Sequence, residues 1–177
     1  QGLSAVVLAG LTGPVKWFFG AIFGALYAPF VITGLHHMTN AIDTQLIADA
    51  GGTALWPMIA LSNIAQGSAV FAYYLMHRRD EREAQVSLPA TISAYLGVTE
   101  PALFGVNVKY IYPFVAGMIG SALAGMLSVT FNVTAASIGI GGLPGILSIQ
   151  PQYMLPFAGT MLVAIVVPML LTFFFRK

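Results

Sequence analysis

Glu100 is the residue of this sequence best placed to do chemistry. It lies in the stretch YLGVTEPALFGVNVKY (residues 95–110), has no acidic neighbour, and is followed at once by Pro101. A carboxylate at membrane depth is costly unless it faces protein, water or a partner, so intramembrane acids are functional by default. Pro101 disfavours helix at the preceding residue, and we therefore expect a turn that exposes the carboxylate. A structural acid paired with Lys109 or with a histidine is the alternative.

Two adjacent histidines, His36 and His37 in TGLHHMTN, are the second candidates. They end an apolar segment, where they would either bond backbone carbonyls at an interface or share a site with Glu100 at similar depth. Adjacent histidines point in different directions and no further ligand cluster accompanies them. We therefore expect no zinc or other metal site.

Four further polar residues receive weaker predictions. Asn107 and Lys109 follow the expected turn and could donate hydrogen bonds to a hydroxyl-rich ligand, although Lys109 could instead snorkel to the interface. Asp43 and Asp49 lie in AIDTQLIADAGG, which we interpret as a solvated outside loop. In the alternative interpretation, Asp43 and Gln45 line a vestibule.

The composition is that of a membrane protein. Of 177 residues 58% are hydrophobic and 7% charged, against about 25% charged in a soluble domain. A net charge of +1 argues against nucleic acid as a partner. The absence of cysteine excludes disulfides, thiolate metal sites and a thiol nucleophile within the chain. Because the chain starts at Gln1 without a signal-peptide pattern, we expect residues 1–177 to be one membrane-embedded domain of a longer polypeptide.

The apolar segments predict an all-α membrane protein in the lipid bilayer with about four transmembrane helices. Each predicted span has close to the ~20 residues that a bilayer requires, and the spans cover residues 17–35, 54–76, 110–131 and 154–175. The first contains a GxxxG pair, Gly20 and Gly24, and the third repeats small residues at Gly117, Ser121 and Gly125, which favours close helix packing.

Two shorter segments, about residues 87–108 and 132–150, are apolar but interrupted by glycine and proline. Non-helical backbone survives at membrane depth only where protein buries it or it lines a wet cavity. We therefore predict two opposed re-entrant hairpins. Gly/Pro-interrupted segments in paired positions indicate a transporter site near the midplane, so their tips should meet there.

Charge placement predicts the orientation, because basic residues favour the cytoplasmic side. We place Lys16, the arginines of HRRDERE, and Arg176 with Lys177 all inside. The first span then runs outward and the second returns. The first hairpin enters from inside, the third span runs outward, the second hairpin enters from outside and the last span returns. HRRDERE itself is interpreted as a solvated loop, with a docking surface as the alternative.

These residues resemble a known family. GVTEPALFGVNVKY resembles the G-(I/V)-T-E-P signature of enzyme IIC, the sugar-transporting membrane subunit of the bacterial phosphoenolpyruvate-dependent phosphotransferase system, in its glucose superfamily. TGLHHMTN resembles the histidine-bearing segment of that family. LWPMIALSNIAQGSAVFA and IGIGGLPGILSIQPQYM look most like the trehalose-specific branch, with the sucrose, maltose and glucose branches close behind. The resemblance covers nearly the whole chain.

The resemblance implies an elevator-type transporter in the bacterial inner membrane, of which this chain is the carboxy-terminal, substrate-carrying half. The missing amino-terminal half would form the homodimer. The family's glutamate corresponds to Glu100, which would hold the sugar hydroxyl that becomes phosphorylated, beside Thr99 of the same motif. Its histidine corresponds to His36 or His37, and the doublet leaves the choice open. The phosphoryl donor would be a cysteine on a separate IIB domain, and no cofactor is implied.

The chemistry of the residues agrees with this role. A sugar site needs hydrogen-bonding groups in an otherwise apolar cavity, and phosphoryl transfer to a hydroxyl needs positioning and a proton acceptor. We therefore expect a sugar phosphotransferase membrane subunit that takes up trehalose, or alternatively sucrose, maltose or glucose. An ion-coupled symporter without phosphorylation, and a passive channel or structural subunit, are alternatives from other classes.

Overall fold

The structure is a computed structural model that describes residues 2–176. These residues form α-helices joined by short turns, with no β-strand among them, only isolated bridges of Ala135 to Thr53 and to Ile149. The α-helices of the described part are α1 (Gly2–Thr12), α2 (Lys16–Thr33), α3 (His37–Ala50), α4 (Leu55–His77), α5 (Glu81–Tyr95), α6 (Glu100–Ala102), α7 (Val108–Tyr110), α8 (Tyr112–Thr130) and α9 (Met154–Phe175). The predicted all-α class is confirmed.

Three of the four predicted spans have the length and composition of membrane-crossing helices: Lys16–Thr33, Tyr112–Thr130 and Pro151–Phe175. The fourth, α4, has 23 residues but is not among them. Polar side chains at Ser62, Asn63, Gln66 and Ser68 lower its mean hydropathy. Every residue from Leu55 to Val70 is buried by the rest of the chain. Helix α4 is therefore a central helix, and its polar side chains contact other parts of the protein.

Helices α2 and α8 pack against each other through small residues. Ser121 Oγ donates a hydrogen bond to the Gly24 carbonyl oxygen at 2.6 Å. A Cβ atom at Gly20 would lie 2.7 Å from the Gly125 carbonyl oxygen, so a larger residue would push the helices apart. The GxxxG pair of α2 therefore meets the small-residue stripe of α8. Because Gly20 lies beside Gly125 and Gly24 lies beside Ser121, the two helices are antiparallel.

The helix directions place Lys16 at the end of the bundle opposite the arginines that follow α4. Lys16 Nζ donates a hydrogen bond to Asn132 Oδ1 at 2.6 Å, so α2 starts where α8 ends. Helix α4 is also antiparallel to α8, because the rings of Tyr73 and Tyr112 approach to 6.5 Å between centroids, whereas Val129 packs at the start of α4. Helices α2 and α4 therefore run in the same direction.

The prediction that all three basic groups share one side is wrong for Lys16. The reason is α3, which the sequence suggested was an outside loop. This helix carries the chain back toward the Lys16 end, where Leu46 packs in one cluster with Leu11 and Met58. The charge-based prediction connected α2 to α4 by a loop. In the structure, α3 carries the chain back along the bundle between them.

Arg176 lies at the same end as the arginines that follow α4. Leu155, at the start of α9, shares a groove with Leu127 and Phe131 at the end of α8. Helix α9 is thus antiparallel to α8 and ends where α8 begins. Lys177 lies outside the described residues.

Residues 81–110 form a helical hairpin, here called the first hairpin. Its first arm is α5. Its second arm combines α6, a π-helical turn at Leu103–Asn107, and α7. Residues 132–150, the second hairpin, fold back on themselves: Ala136 N donates to the Ser148 carbonyl oxygen at 2.9 Å, and a 3₁₀ turn spans Leu143–Ser148.

The turns of the two hairpins touch. A Cβ atom at Gly97 would lie 2.8 Å from the backbone nitrogen of Gly141. The two interrupted segments of the sequence therefore meet backbone to backbone beside α4. Their re-entrance into a bilayer stays a prediction.

Candidate functional site

Glu100 lies at the turn of the first hairpin, as the first residue of α6. The turn depends on Gly97, whose φ of +100° is rarely adopted by residues with a side chain. Pro101 falls in the first turn of α6, where a missing backbone N–H costs no intrahelical bond. The proline thus starts the second arm, and the Glu100 side chain remains 46% exposed.

Glu100 lines a cavity of about 340 Å³ between the two hairpin turns and helices α2, α3 and α4. This volume lies at the lower end of the ~300–1,000 Å³ typical of small-molecule sites. Both polar and apolar residues line its wall. The side chains that could bond a polar ligand belong to Tyr27, His36, His37, Asn40, Trp56, Asn63, Thr99 and Glu100.

Of the two histidines, His36 lies next to the carboxylate. Its Nε2 is 3.9 Å from Glu100 Oε1, which is too long for a direct hydrogen bond. The His37 ring lies 4.0 Å from the His36 ring, centroid to centroid, and also lines the cavity. The structure thus brings Glu100, His36 and His37 together and leaves a gap between acid and imidazole that a third polar group can bridge.

Asn63 of α4 holds the turn that carries Glu100. Its Oδ1 accepts a hydrogen bond from Thr99 Oγ1 at 3.3 Å, and its Nδ2 donates to the Gly97 carbonyl oxygen at 3.4 Å. A Cβ atom at Gly141 would lie 2.5 Å from Asn63 Nδ2, so the second hairpin also rests on this amide. Asn63 was not among the residues predicted from the sequence, although an asparagine inside an apolar span was the available signal.

Three other residues of the cavity wall also went unselected. Tyr27, Asn40 and Trp56 come from α2, α3 and α4, and their positions depend on how these helices pack. The buried indole Nε1 of Trp56 has no hydrogen-bond partner among the described residues. An aromatic wall of this kind suits the apolar faces of a ring-shaped polar ligand.

The structure places Asn107 and Lys109 away from the cavity. Asn107 is fully buried, and its Nδ2 donates to Gln66 Oε1 at 2.6 Å. Lys109 is largely exposed near the base of the first hairpin, with Nζ 3.6 Å from Glu83 Oε1. The alternative pairing of Glu100 with Lys109 is therefore absent, because the second arm separates the two residues.

The prediction of a solvated loop charge is wrong for Asp43. This residue lies on the covered face of α3 and is fully buried. Thr53 Oγ1 donates to its Oδ1 at 2.6 Å, while Oδ2 has no partner among the described residues. Burial raises the pKa of Asp43 to about 6, against the opposing effect of the hydrogen bonds from Thr53 and the Trp56 backbone. Asp49 is exposed as predicted, but on a helix.

The arrangement suits hydrogen bonding and proton transfer. A carboxylate can accept a proton from a hydroxyl, and an imidazole can orient that hydroxyl. Within residues 2–176, no group of three or more His, Cys, Asp or Glu side chains could hold a metal ion.

Fold and cavity together define a helical membrane protein with a cavity, lined by polar side chains, between its helices. The chain belongs to the family described as phosphotransferase system, EIIC, whose model matches residues 1–121. No solved structure matches the chain significantly.

Similar curated proteins carry specific names. The chain is 53% identical over 98% of its length to the PTS system trehalose-specific EIIBC component of Escherichia coli (strain K12). It is 49% identical over 89% to the component of the same name from Bacillus subtilis (strain 168). It is 46% identical over 89% to the PTS system sucrose-specific EIIBC component of Pasteurella multocida (strain Pm70). The chain spans 37%, 34% and 34% of the length of these relatives.

Proposed function

We propose that this chain forms the sugar-binding part of an EIIC transporter, and that a sugar binds in the cavity with one hydroxyl at Glu100. The observation that carries the proposal is the 3.9 Å gap between Glu100 Oε1 and His36 Nε2 on the cavity wall. A hydroxyl in this gap could donate to the carboxylate and bond the imidazole at the same time. Asn63 and Thr99 hold the turn that positions the carboxylate.

The proposed reaction is phosphoryl transfer from a phosphocysteine of a IIB domain to that hydroxyl. The hydroxyl oxygen attacks phosphorus, the phosphorus–sulfur bond breaks, the cysteine leaves as a thiolate, and Glu100 takes the hydroxyl proton. Glu100 is the proposed catalytic residue, because it touches the reacting oxygen. His36 and His37 are proposed to bind and orient the sugar. The EIIBC names of the similar proteins support a IIB partner.

Trehalose is the proposed substrate, because two of the most similar proteins carry trehalose-specific names at 53% and 49% identity. Sucrose is the second candidate, since a sucrose-specific relative follows at 46%. The proposed setting is the bacterial cytoplasmic membrane. There, α2, α8, α9 and the polar α4 cross the bilayer, and α3 returns the chain toward the Lys16 end between α2 and α4. The two hairpins are re-entrant, and the domain moves as the elevator of a homodimer.

The test uses the complete polypeptide that contains this chain. Binding of trehalose, sucrose, maltose and glucose is measured by calorimetry, and sugar phosphorylation is measured with phosphorylated IIB. We expect Glu100→Gln to lower the phosphorylation rate by about 10²–10⁴, the usual contribution of a positioned base. Sugar affinity should fall much less, because the amide can still bond the hydroxyl. Glu81→Gln, at an exposed glutamate of α5, is the matched control.

Wild-type phosphorylation rates in purified Glu100→Gln would rule out the catalytic role. Sugar uptake that collapses with an uncoupler and needs no phosphoenolpyruvate would instead establish a symporter. The absence of saturable binding to all four sugars would leave a channel or structural subunit.

A further inference from the structure

The base of the first hairpin, at the end remote from Glu100, carries one carboxylate bound by two phenols. Tyr73 Oη donates to Glu83 Oε2 at 2.8 Å, and Tyr110 Oη donates to Glu83 Oε1 at 2.8 Å. The three residues belong to α4, α5 and α7. Glu83 therefore joins the two arms of the hairpin to each other and to α4. We call Tyr73, Glu83 and Tyr110 the base clasp.

Neighbouring side chains support the base clasp. The Tyr73 and Tyr110 rings stack at 4.8 Å between centroids, and the His77 ring also stacks with Tyr73, at 4.1 Å. Lys109 Nζ lies 3.6 Å from Glu83 Oε1 and 4.7 Å from the centre of the Tyr110 ring. Lys109, considered in the sequence analysis as a ligand for substrate, thus contacts the base clasp instead.

The attachments at the two ends of the hairpin differ in strength. Hydrogen bonds to an ionised carboxylate are about twice as strong as neutral ones, and both bonds of the base clasp measure 2.8 Å. The turn at the other end is held on α4 by neutral contacts, through Asn63 at 3.3 and 3.4 Å and through the hydroxyls of Ser68 and Tyr95 at 2.9 Å. The base clasp therefore adds a charged attachment at the base of the hairpin to these neutral ones and to the hydrogen bond between Asn107 and Gln66.

A strained residue follows the base clasp directly. Ile111 has φ 65° and ψ −51°, a conformation that is costly for a β-branched side chain. It joins α7 to α8. Such strain persists only where the structure on both sides imposes it, and it is found at functional sites and switch regions. Here the base clasp holds one side of Ile111 and the packed helix α8 holds the other.

A small tilt at the base becomes a large displacement at Glu100. The 15 residues of α5 extend over about 22 Å at ~1.5 Å per residue. A tilt of about 5° would then move the turn by ~2 Å, a large part of the 3.9 Å between Glu100 and His36. A misplacement of ~1 Å can cost on the order of 10²-fold in rate.

We propose that the base clasp is a positioning site for the reaction at Glu100: Glu83, held by Tyr73 and Tyr110, sets the tilt of the first hairpin and so the place of the catalytic carboxylate. This inference rests on the proposed function. It assigns a role in catalysis to residues that do not line the cavity.

The test compares Tyr73→Phe, Tyr110→Phe and Glu83→Gln in the complete polypeptide. Tyr74→Phe is the matched control, since Tyr74 lies next to Tyr73 on α4 but is not part of the base clasp. We expect each clasp variant to lower kcat for sugar phosphorylation about tenfold and to change the sugar Kd less than threefold, because other helices hold the sugar. The double variant Tyr73→Phe/Tyr110→Phe should be no worse than Glu83→Gln, because both act through one carboxylate.

A second readout does not depend on the sugar. In a polypeptide whose other cysteines are replaced, Leu96→Cys at the exposed turn is labelled with a thiol reagent. The labelling rate should rise several-fold when Glu83→Gln is added and should not change with Tyr74→Phe.

Wild-type kcat together with an unchanged labelling rate in folded clasp variants would overturn the inference. So would a loss of kcat that only follows the loss of folded protein. If Tyr73→Phe does not fold, the partly exposed Tyr110→Phe provides the same comparison. If the wild type phosphorylates none of the four sugars, the proposed function fails. The labelling rate of Leu96→Cys, with and without Glu83→Gln, then tests by itself whether the base clasp positions the turn.

Discussion

Replacing Asn107 by leucine separates a structural role of this residue from a role in sugar binding. Asn107 is fully buried, and its Nδ2 donates to Gln66 Oε1 at 2.6 Å and to the Gln66 carbonyl oxygen at 3.3 Å. Asn107→Leu keeps the approximate volume but leaves a buried oxygen of Gln66 without a donor. The structure therefore predicts a loss of stability with little change in sugar affinity.

The magnitude follows from the hydrogen bonds. An unsatisfied buried polar group costs about 1–3 kcal/mol. Asn107 Oδ1 has no partner among the described residues, so its removal relieves part of that cost. We expect a net loss of about 2 kcal/mol. For a domain of this size, with about 2–4 °C per kcal/mol, the Tm should fall by about 4–8 °C.

The assay is thermal unfolding of the detergent-purified complete polypeptide, paired with a sugar titration at a temperature where both variants are folded. Gln66→Met combined with Asn107→Leu is the matched control. It replaces both partners by apolar groups, which is close to neutral in a packed interior, and it should recover more than half of the lost Tm. A tenfold weaker sugar affinity at an unchanged Tm would refute the reasoning and assign Asn107 to the sugar site.

Two further predictions concern Asp43 and the orientation of the chain. The pKa of Asp43 is about 6 in the folded protein, which is above its value in the unfolded chain, so the folded state binds the proton more tightly. The free energy of unfolding should therefore fall as pH rises from about 4 to about 6. Asp43→Asn should flatten that pH dependence in thermal unfolding, and an unchanged slope would contradict the assignment. Single cysteines at Lys16 and Asn132 should react with an impermeant thiol reagent from one side of the membrane, and one at Arg79 from the other. Labelling of Lys16→Cys and Arg79→Cys from the same side would contradict the helix directions described here.

The sequence was informative wherever a pattern has a local cause. The spans of α2, α8 and α9 follow from uninterrupted apolar runs, since a bilayer requires length and apolarity and little else. The turn before Glu100 depends on Gly97, whose positive φ is open to glycine and rare for other residues. Glu100 itself is helical, so the expectation that Pro101 would keep the preceding residue out of a helix is wrong, because Pro101 lies in the first turn of α6. His36 and His37 line the same cavity as Glu100, and their position at the end of an apolar span was the signal available in the sequence. Their role in binding sugar stays a prediction.

The remaining features depend on packing that no local pattern encodes. Asp43 was interpreted as a loop charge because its surroundings are polar, and its burial arises only when α3 folds back onto the start of α4. The same unrecognised helix reversed the side expected for Lys16. Asn107 and Lys109 were selected for closeness in sequence to Glu100, but Asn107 ends the π-helical turn that leads away from the cavity, and Lys109 lies beyond it. Asn63 was not selected because its role appears only when the hairpin turn rests on it.

The polar face of α4 has a consequence for how the protein is made. Asn63 bonds Thr99, 36 residues later in the chain, and Gln66 bonds Asn107, 41 residues later. The ribosome adds about 5–20 residues per second. Thr99 and Asn107 are therefore synthesised about 2–8 s after the residues of α4 that they bond. Lipid offers such groups no hydrogen bonds during that time. Helix α4 must therefore remain beside α2, the insertion machinery or water until the first hairpin is complete, so the order of synthesis delays its release into the bilayer.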